Sequence, residues 1–461
     1  MPLFKKRFNS RSYPVIAVLT VLCILWFNAV AGAESITYRG VIEDTIHASA
    51  ALKVKEQDVK IAHASYRQVF AGLYPELTLA GRLERYENLD KDTQDIQSVN
   101  SEVVGGESSW RSLAYLSGQY EISSWYKKRY EASYYQKLRD AALFDCTTES
   151  KKLAKDMTDL FGRLAEGKVR LKYGEQIVKA LQDLVDLRNQ ALAGGEASQE
   201  EVVKAESDLE SARKEQATLM KAFRENLDAL NSYTAKTFTA TDEFEILTAE
   251  TDGEVAEPAA HQIEDTPELK ARRKELEALQ LKAKSTFNNY LPDVSMYGRY
   301  DYYGSDTDNM DNALKDIRES GYNAGILISL PIFDGGARKW ERVKTSEEIK
   351  KQEESIKATI EERKRELRTA YTGYTELSRA LRHYRKLAEQ YEKLRVISGK
   401  AAVLGQRGRA DLLELEKDYL QIVRDMRVTE TTLGVYQKRL AIESDYGSFM
   451  REFYGNWSCQ Y

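Results

Sequence analysis

Few residues in this sequence have the type and spacing for chemistry. Four histidines, His47, His63, His261 and His383, are scattered along predicted helices without ligand spacing, so a zinc site is not expected. The acidic run Asp306-Thr307-Asp308-Asn309-Met310-Asp311 resembles a calcium loop at first sight but lacks the glycine step that turns one; an exposed loop explains it better. No nucleophile stands with a base and an orienting group, so the chain reads as a non-enzyme with no catalytic residue and no cofactor. Asn456-Trp457-Ser458 fits a glycosylation sequon of the kind chance supplies. What remains is charge at two glycine-containing turns. Asp411 falls in the first turn of a helix, where a carboxylate offsets unpaired N–H groups, and Glu414 follows it toward water. At the other turn, Ser198-Gln199-Glu200-Glu201 reads as a capping box.

Long helices must hold these turns. The 461 residues include only seven prolines, 31% are charged, 10% are aromatic, and the net charge is -5 with both signs interspersed. So few helix breakers permit very long helices, and unclustered basic charge argues against nucleic acid as a partner. Lys5, Lys6, Arg7 and Arg11, the apolar run Val15 to Phe27 and the Ala31-Gly32-Ala33 site read as a signal peptide over 1–33, cleaved after Ala33 so that the mature chain begins at Glu34. Beyond Glu34 there is no apolar stretch long enough for a spanning helix, so entry into a membrane would require strands of a closed barrel. Cys146 and Cys459, far apart in sequence, read as two independent residues rather than a disulfide framework.

The chain repeats itself, with one copy over 34–233, a second over 267–445, an acidic linker or accessory layer at 234–266 and a short tail at 446–461. Each copy opens on an amphipathic helix, Ser35 to Ala71 or Pro267 to Tyr290, that stops at a proline. An alternating hairpin follows, 75–126 or 292–333. Leu77, Leu79 and Leu83 share a face opposite Thr78, Arg82 and Glu84, and Val294, Met296, Tyr300 and Tyr302 share one opposite Ser295, Tyr297, Arg299 and Asp301. Tyr322, Ala324, Ile326, Ile328, Leu330 and Ile332 alternate likewise, a period that suits a membrane barrel strand. Helices from about Lys127 to Leu192 and Arg338 to Val403 then run close to 100 Å each. Turns containing Gly195, and Gly405 with Gly408, lead into return helices ending near Tyr233 and Asp445. The segments Glu87 to Trp110 and Gly304 to Gly321 are expected to be polar loops on the cell exterior.

The ordered, doubled pattern resembles the TolC-like outer-membrane efflux protein family. The resemblance rests on Leu291-Pro292-Asp293-Val294-Ser295-Met296-Tyr297-Gly298, on Ile328-Ser329-Leu330-Pro331-Ile332-Phe333-Asp334-Gly335-Gly336-Ala337-Arg338, on Gly405-Gln406-Arg407-Gly408-Arg409-Ala410-Asp411-Leu412-Leu413-Glu414 and on the weaker Gly195-Glu196-Ala197-Ser198-Gln199-Glu200-Glu201-Val202-Val203. Ser123-Ser124-Trp125-Tyr126-Lys127 stands where the second copy has its glycine-rich turn. The resemblance implies a mainly α fold with β-hairpins, assembled as a homotrimeric channel. Four strands from each protomer would complete a shared transmembrane β-barrel in outer-membrane lipid, and the helices would form a long periplasmic barrel. It also implies passive export with a periplasmic adaptor and an inner-membrane transporter; a periplasmic coiled-coil adaptor is the alternative function. By position, Asp411 and Glu414 would ring the narrow periplasmic mouth and bind cations, while Arg407 and Glu201 would tie it shut.

Overall fold

The computed structural model describes residues 35–86, 109–248, 264–315, 317, 319–454 and 459. The signal segment with Ala31 and Ala33, most of the first expected exterior loop, His261 and the sequon lie outside the described residues. The chain order is α1 (Tyr38–Ala48), α2 (Ala50–Ala71), β1 (Glu76–Tyr86), β2 (Ser109–Glu121), α3 (Ser124–Ala193), α4 (Gln199–Thr234), α5 (Pro267–Asn288), β3 (Asp293–Asp306), α6 (Met310–Lys315), β4 (Glu319–Ser329), α7 (Ala337–Val403), α8 (Arg409–Ser444) and α9 (Tyr446–Tyr454). Proline placement explains much of this order. Pro75 and Pro292 precede β1 and β3, Pro267 opens α5, and Pro331 separates β4 from α7. No proline interrupts α3, α4, α7 or α8, which can therefore continue for 70, 36, 67 and 36 residues. Among the described residues no helix is long and apolar enough to cross a membrane.

The expected single helix from Ser35 to Ala71 is broken: the backbone leaves helical geometry at Ser49, whose N–H still bonds Thr45 O at 2.9 Å, and re-enters at Ala50. Serine competes weakly for helix interiors, which makes it a cheap break point. The fourth strand stops at Ser329 rather than reaching Ile332, because Pro331 has no N–H to offer the ladder.

The contacts divide the chain into two units. One comprises the described parts of Ala51–Glu149, Ile263–Arg363 and Ser458–Tyr461 and holds the sheet. Its four strands are antiparallel in the order β1-β2-β3-β4. The registers align Leu79 with Leu116, Tyr300 and Tyr322 in one row, and Thr78 with Ser117, Arg299 and Asn323 in the next. Opposed residues share a face, so one side of the sheet is apolar and the other polar. The apolar side faces outward bare, with Leu79 79% and Tyr322 82% exposed. On the polar side, Asp301 is buried against Arg299, whose guanidinium lies 3.9 Å over the Tyr115 ring.

The segment from Gly304 to Gly321 is not a simple solvated loop. β3 continues to Asp306, whose carboxylate accepts the N–H groups of Asp308 at 2.9 Å and Asn309 at 2.7 Å. α6 then folds back so that Ser112 Oγ donates to Ala313 O, and a Cβ on Gly304 would stand 2.2 Å from that carbonyl. The acidic run makes a turn and a short helix.

Cys146 and Cys459 are joined in a disulfide, against the reading of two independent residues. Sequence separation said nothing about their proximity. The return helix brings the chain back beside α3, where the Tyr446 hydroxyl and Ser150 Oγ lie 2.5 Å apart, one helical turn from Cys146.

The other unit comprises the described parts of Met1–Ala50, Ser150–Gln262 and Lys364–Trp457. Here residues 235–248 pack as a layer against the helices. Ile36 and Phe244 form a parallel bridge, with Ile36 N–H donating to Glu243 O at 2.8 Å. The Phe244 ring meets Phe161 at 6.0 Å and Phe223 at 5.9 Å, edge to face. Leu247 closes this layer against α8 at Gly434, where a Cβ would fall 2.2 Å from Leu247 O. Backbone cannot yield there as a side chain can. Gly434→Ala is therefore expected to cost about 1–3 kcal/mol by overpacking, read as a lower thermal midpoint. An unchanged midpoint would show that the 236–248 layer is not firmly packed on α8.

Candidate functional site

The two helical tips are built alike. At the first, Gly195 adopts φ +77°, and Glu196 N–H reaches back to Ala191 O at 2.8 Å. At the second, Gly405 adopts φ +70°, and Gln406 N–H reaches Ala401 O at 2.9 Å. Both close their helices with a left-handed glycine and a backbone bond that spans the turn. By this match Ser198 answers to Gly408, Glu201 to Asp411, and Lys204 to Glu414. Ser198 caps α4, its hydroxyl accepting Glu201 N–H at 3.3 Å. Gly408 is the N-cap of α8 with no side-chain cap, so Asp411 in the first turn supplies the compensating negative charge.

Beneath the tips, Ile177, Leu181, Leu184 and Val185 of α3 pack with Ala205 and Leu209 of α4 and Leu420 of α8. Ala410 and Leu413 lie against this cluster, which leaves Asp411 and Glu414 on the half-exposed side of α8. Of the sequence-predicted residues, Asp411 and Glu414 are brought together on one helical turn. Arg407 and Glu201 do not meet within the chain. Arg407 donates to Ser398 Oγ and approaches Asp411 Oδ2 at 4.0 Å.

The cation that meets Glu201 is Arg188, which sequence reasoning missed. Its Nη1 lies 3.2 Å from Glu201 Oε2 and its Nη2 3.4 Å from Glu414 Oε1. One guanidinium on α3 thus links the first tip to the second, using the fork that distinguishes arginine from lysine. The available signal was the repeat itself: Arg188 stands where the second copy has Ser398, the residue that receives Arg407. Farther from the tip, Arg395 of α7 holds Glu416 of α8 at 3.0 Å and lies 4.7 Å from the centroid of the Tyr419 ring. Burial, then the hydrogen bond with Glu392, raises the Tyr419 phenol above its ordinary value. The second tip also bares apolar side chains, with Val403 88% and Leu404 71% exposed where the first copy has Ala193 and Gly194.

Arranged this way, the carboxylates can attract hydrated cations, and the arginines can compete for the same oxygens. His47, His63 and His383 lie on three different helices, α1, α2 and α7, away from these acids in sequence.

Residues 261–421, most of the second copy, match the family described as "Outer membrane efflux protein". No curated protein matches the sequence. Among solved structures, the chain resembles the outer membrane protein VceC of Vibrio cholerae, with 17% identity and a TM-score of 0.75 over 88% of this chain and 95% of that one. It resembles the CmeC outer membrane channel of Campylobacter jejuni, with 14% identity and a TM-score of 0.72 over 92% and 87%. It also resembles the MtrE outer membrane channel of Neisseria gonorrhoeae in its open state, with 15% identity and a TM-score of 0.67 over 88% of each chain. At these identities the likeness is one of fold: the doubled pattern, the four strands and the paired tips are those of outer membrane channels, and within the second copy residues 261–421 match the outer membrane efflux protein family.

Proposed function

We propose that the chain is one protomer of a homotrimeric exit duct for a tripartite efflux or type I secretion system. It conducts substrate passively from a periplasmic adaptor and an inner-membrane transporter to the exterior, and it is not an enzyme. The observation that carries this reading is the sheet. It presents an apolar row, Leu79, Leu116, Tyr300 and Tyr322, on one face and a polar row, Thr78, Ser117, Arg299 and Asn323, on the other. Among the described residues, β1 and β4 each pair on one side only. A lipid-facing sheet tolerates no open edge, because every backbone N–H and C=O must be bonded where water is absent. Further copies must therefore close it. A coiled-coil adaptor would have no use for such a sheet.

The tips support the rest of the reading. Asp411 and Glu414 form the cation-binding ring of the periplasmic mouth. Because Arg188 occupies Glu201 within the chain, the Arg407–Glu201 tie is one made between neighbouring copies. Val403 and Leu404 supply apolar surface for the adaptor. Heating outer-membrane preparations in detergent tests the assembly. The expected result is an oligomer that survives mild detergent and collapses to monomer on boiling. Fractionation as a monomer released without detergent would overturn the channel reading.

A further inference from the structure

Between α3, α5 and α7, within the unit that holds the sheet, a cavity of about 580 Å³ is lined by Tyr130, Gln280, Lys284, Phe287, Arg342 and Ile349, among others. Its lining carries two cations and no carboxylate, although the chain as a whole has 73 acids against 68 bases. Neighbouring cations are engaged: Lys282 holds Glu348 at 2.9 Å, and Arg338 holds Asp334 at 2.6 Å. Lys284 and Arg342 have no ion-pair partner among the described residues. The Arg342 guanidinium instead lies 5.8 Å from the centroids of both Phe287 and Tyr290. Phe287 is itself more than half exposed, an apolar surface beside a free positive charge.

The position of the cavity adds a second argument. α5 ends at Asn288 and β3 begins at Asp293, while β4 ends at Ser329 and α7 begins at Ala337. At about 1.5 Å per residue, Lys284 and Arg342 stand roughly 6–8 Å from these helix ends. The headgroup layer beyond the hydrocarbon core is on the order of 5–8 Å deep on each side. On the outer-membrane reading these two cations would stand at headgroup depth, next to exposed aromatic side chains that lead onto the apolar face of the sheet.

We propose that this cavity binds an anionic phospholipid of the periplasmic leaflet. The lipid phosphate sits between Lys284 and Arg342, and an acyl chain runs over Phe287, Tyr290 and Leu291 toward Met296. Charge-assisted contacts to phosphate are strong where water is partly excluded, and the aromatic rings suit the boundary between headgroup and chain. The inference rests on the outer-membrane reading above.

The test is native mass spectrometry of the purified oligomer titrated with dioleoylphosphatidylglycerol. The variants are Lys284→Gln with Arg342→Gln, and Lys339→Gln as a reference loss of an exposed charge outside the cavity. Wild type and K339Q are expected to retain the lipid, and the double variant to bind it at least about tenfold more weakly, as the loss of two charge-assisted contacts implies. Dioleoylphosphatidylcholine should be retained poorly by all three, and inorganic phosphate should not compete. Equal retention by the double variant, or displacement by inorganic phosphate at matched concentration, would overturn the proposal. So would loss of the oligomer in the double variant alone, which would make the cavity a contact between copies. Single-channel conductance of the same preparations keeps the two readings apart: conductance without selective lipid retention sinks the lipid site and leaves the channel standing.

Discussion

Neutralising Asp411 and Glu414 together is expected to relieve block by a trivalent cation, raising the half-blocking concentration at least about tenfold while trimer assembly is unchanged. The two carboxylates share one turn of α8 and are half exposed, so they are available to a cation at a constriction. Repeated around a threefold axis, they would concentrate negative charge where the surrounding wall limits water. Their competitors are also defined. Glu414 is held at 3.4 Å by Arg188, and Asp411 is approached at 4.0 Å by Arg407. Replacing Arg188 by alanine should therefore do two things: free Glu414 for cations, and cut the link from α3 to both tips, raising open conductance. Arg407→Ala should raise conductance as well if Arg407 holds a neighbouring copy, because its contacts within the chain are confined to its own hairpin. The measurement is single-channel current in planar bilayers with the trivalent cation added on the periplasmic side. Unchanged block in D411A/E414A would leave Asp411 as a residue of the helix start alone.

Glu443→Gln is expected to destabilise the helical unit by about 3–5 kcal/mol, the usual consequence of removing one partner from a buried ion pair. The Glu443 side chain is 6% exposed and lies 2.9 Å from Lys151, which is 1% exposed. It also contacts Lys155, which reaches Glu366 of α7 at 3.5 Å, so one cluster joins α3, α7 and α8. Glutamine would remove the buried charge that Lys151 and Lys155 share, leaving Glu366 as the carboxylate near Lys155. Burial by itself raises the Glu443 carboxyl, but the Lys151 charge and the Lys155 hydrogen bond outweigh it and hold the group down at about 2. A folded value below the unfolded one means that the stabilisation is complete above the ordinary carboxylate range. It is lost as pH falls toward about 2, and its full size is roughly 3 kcal/mol. Thermal midpoints of wild type and E443Q in detergent should thus differ most near neutral pH and converge in acid. Equal midpoints at neutral pH would show that the cluster contributes no net stability.

The architecture was legible because its signals are periodic and local. Prolines mark where helices stop, alternation marks the strands, and glycines at Gly195 and Gly405 mark reversals that need positive φ. Repetition then supplied spacing that no single motif carries. Asp411 and Glu414 were picked out by their place in the motif that resembles the family; the helix start by itself says only that residues three apart share one turn.

What the tertiary structure decided are the pairings between segments distant in the sequence. Arg188, and not Arg407, meets Glu201 within the chain, because α3 and α8 pack around Leu181 and Leu420 and bring Glu414 under the same guanidinium. Cys146 meets Cys459 across a sequence separation of 313, because the return helix retraces α3. Lys151 finds Glu443 for the same reason. Period and punctuation follow from backbone sterics, which act over a few residues and are written into the sequence. Which charges and thiols face each other depends on how long helices pack, and that is settled by side-chain contacts spread over hundreds of residues.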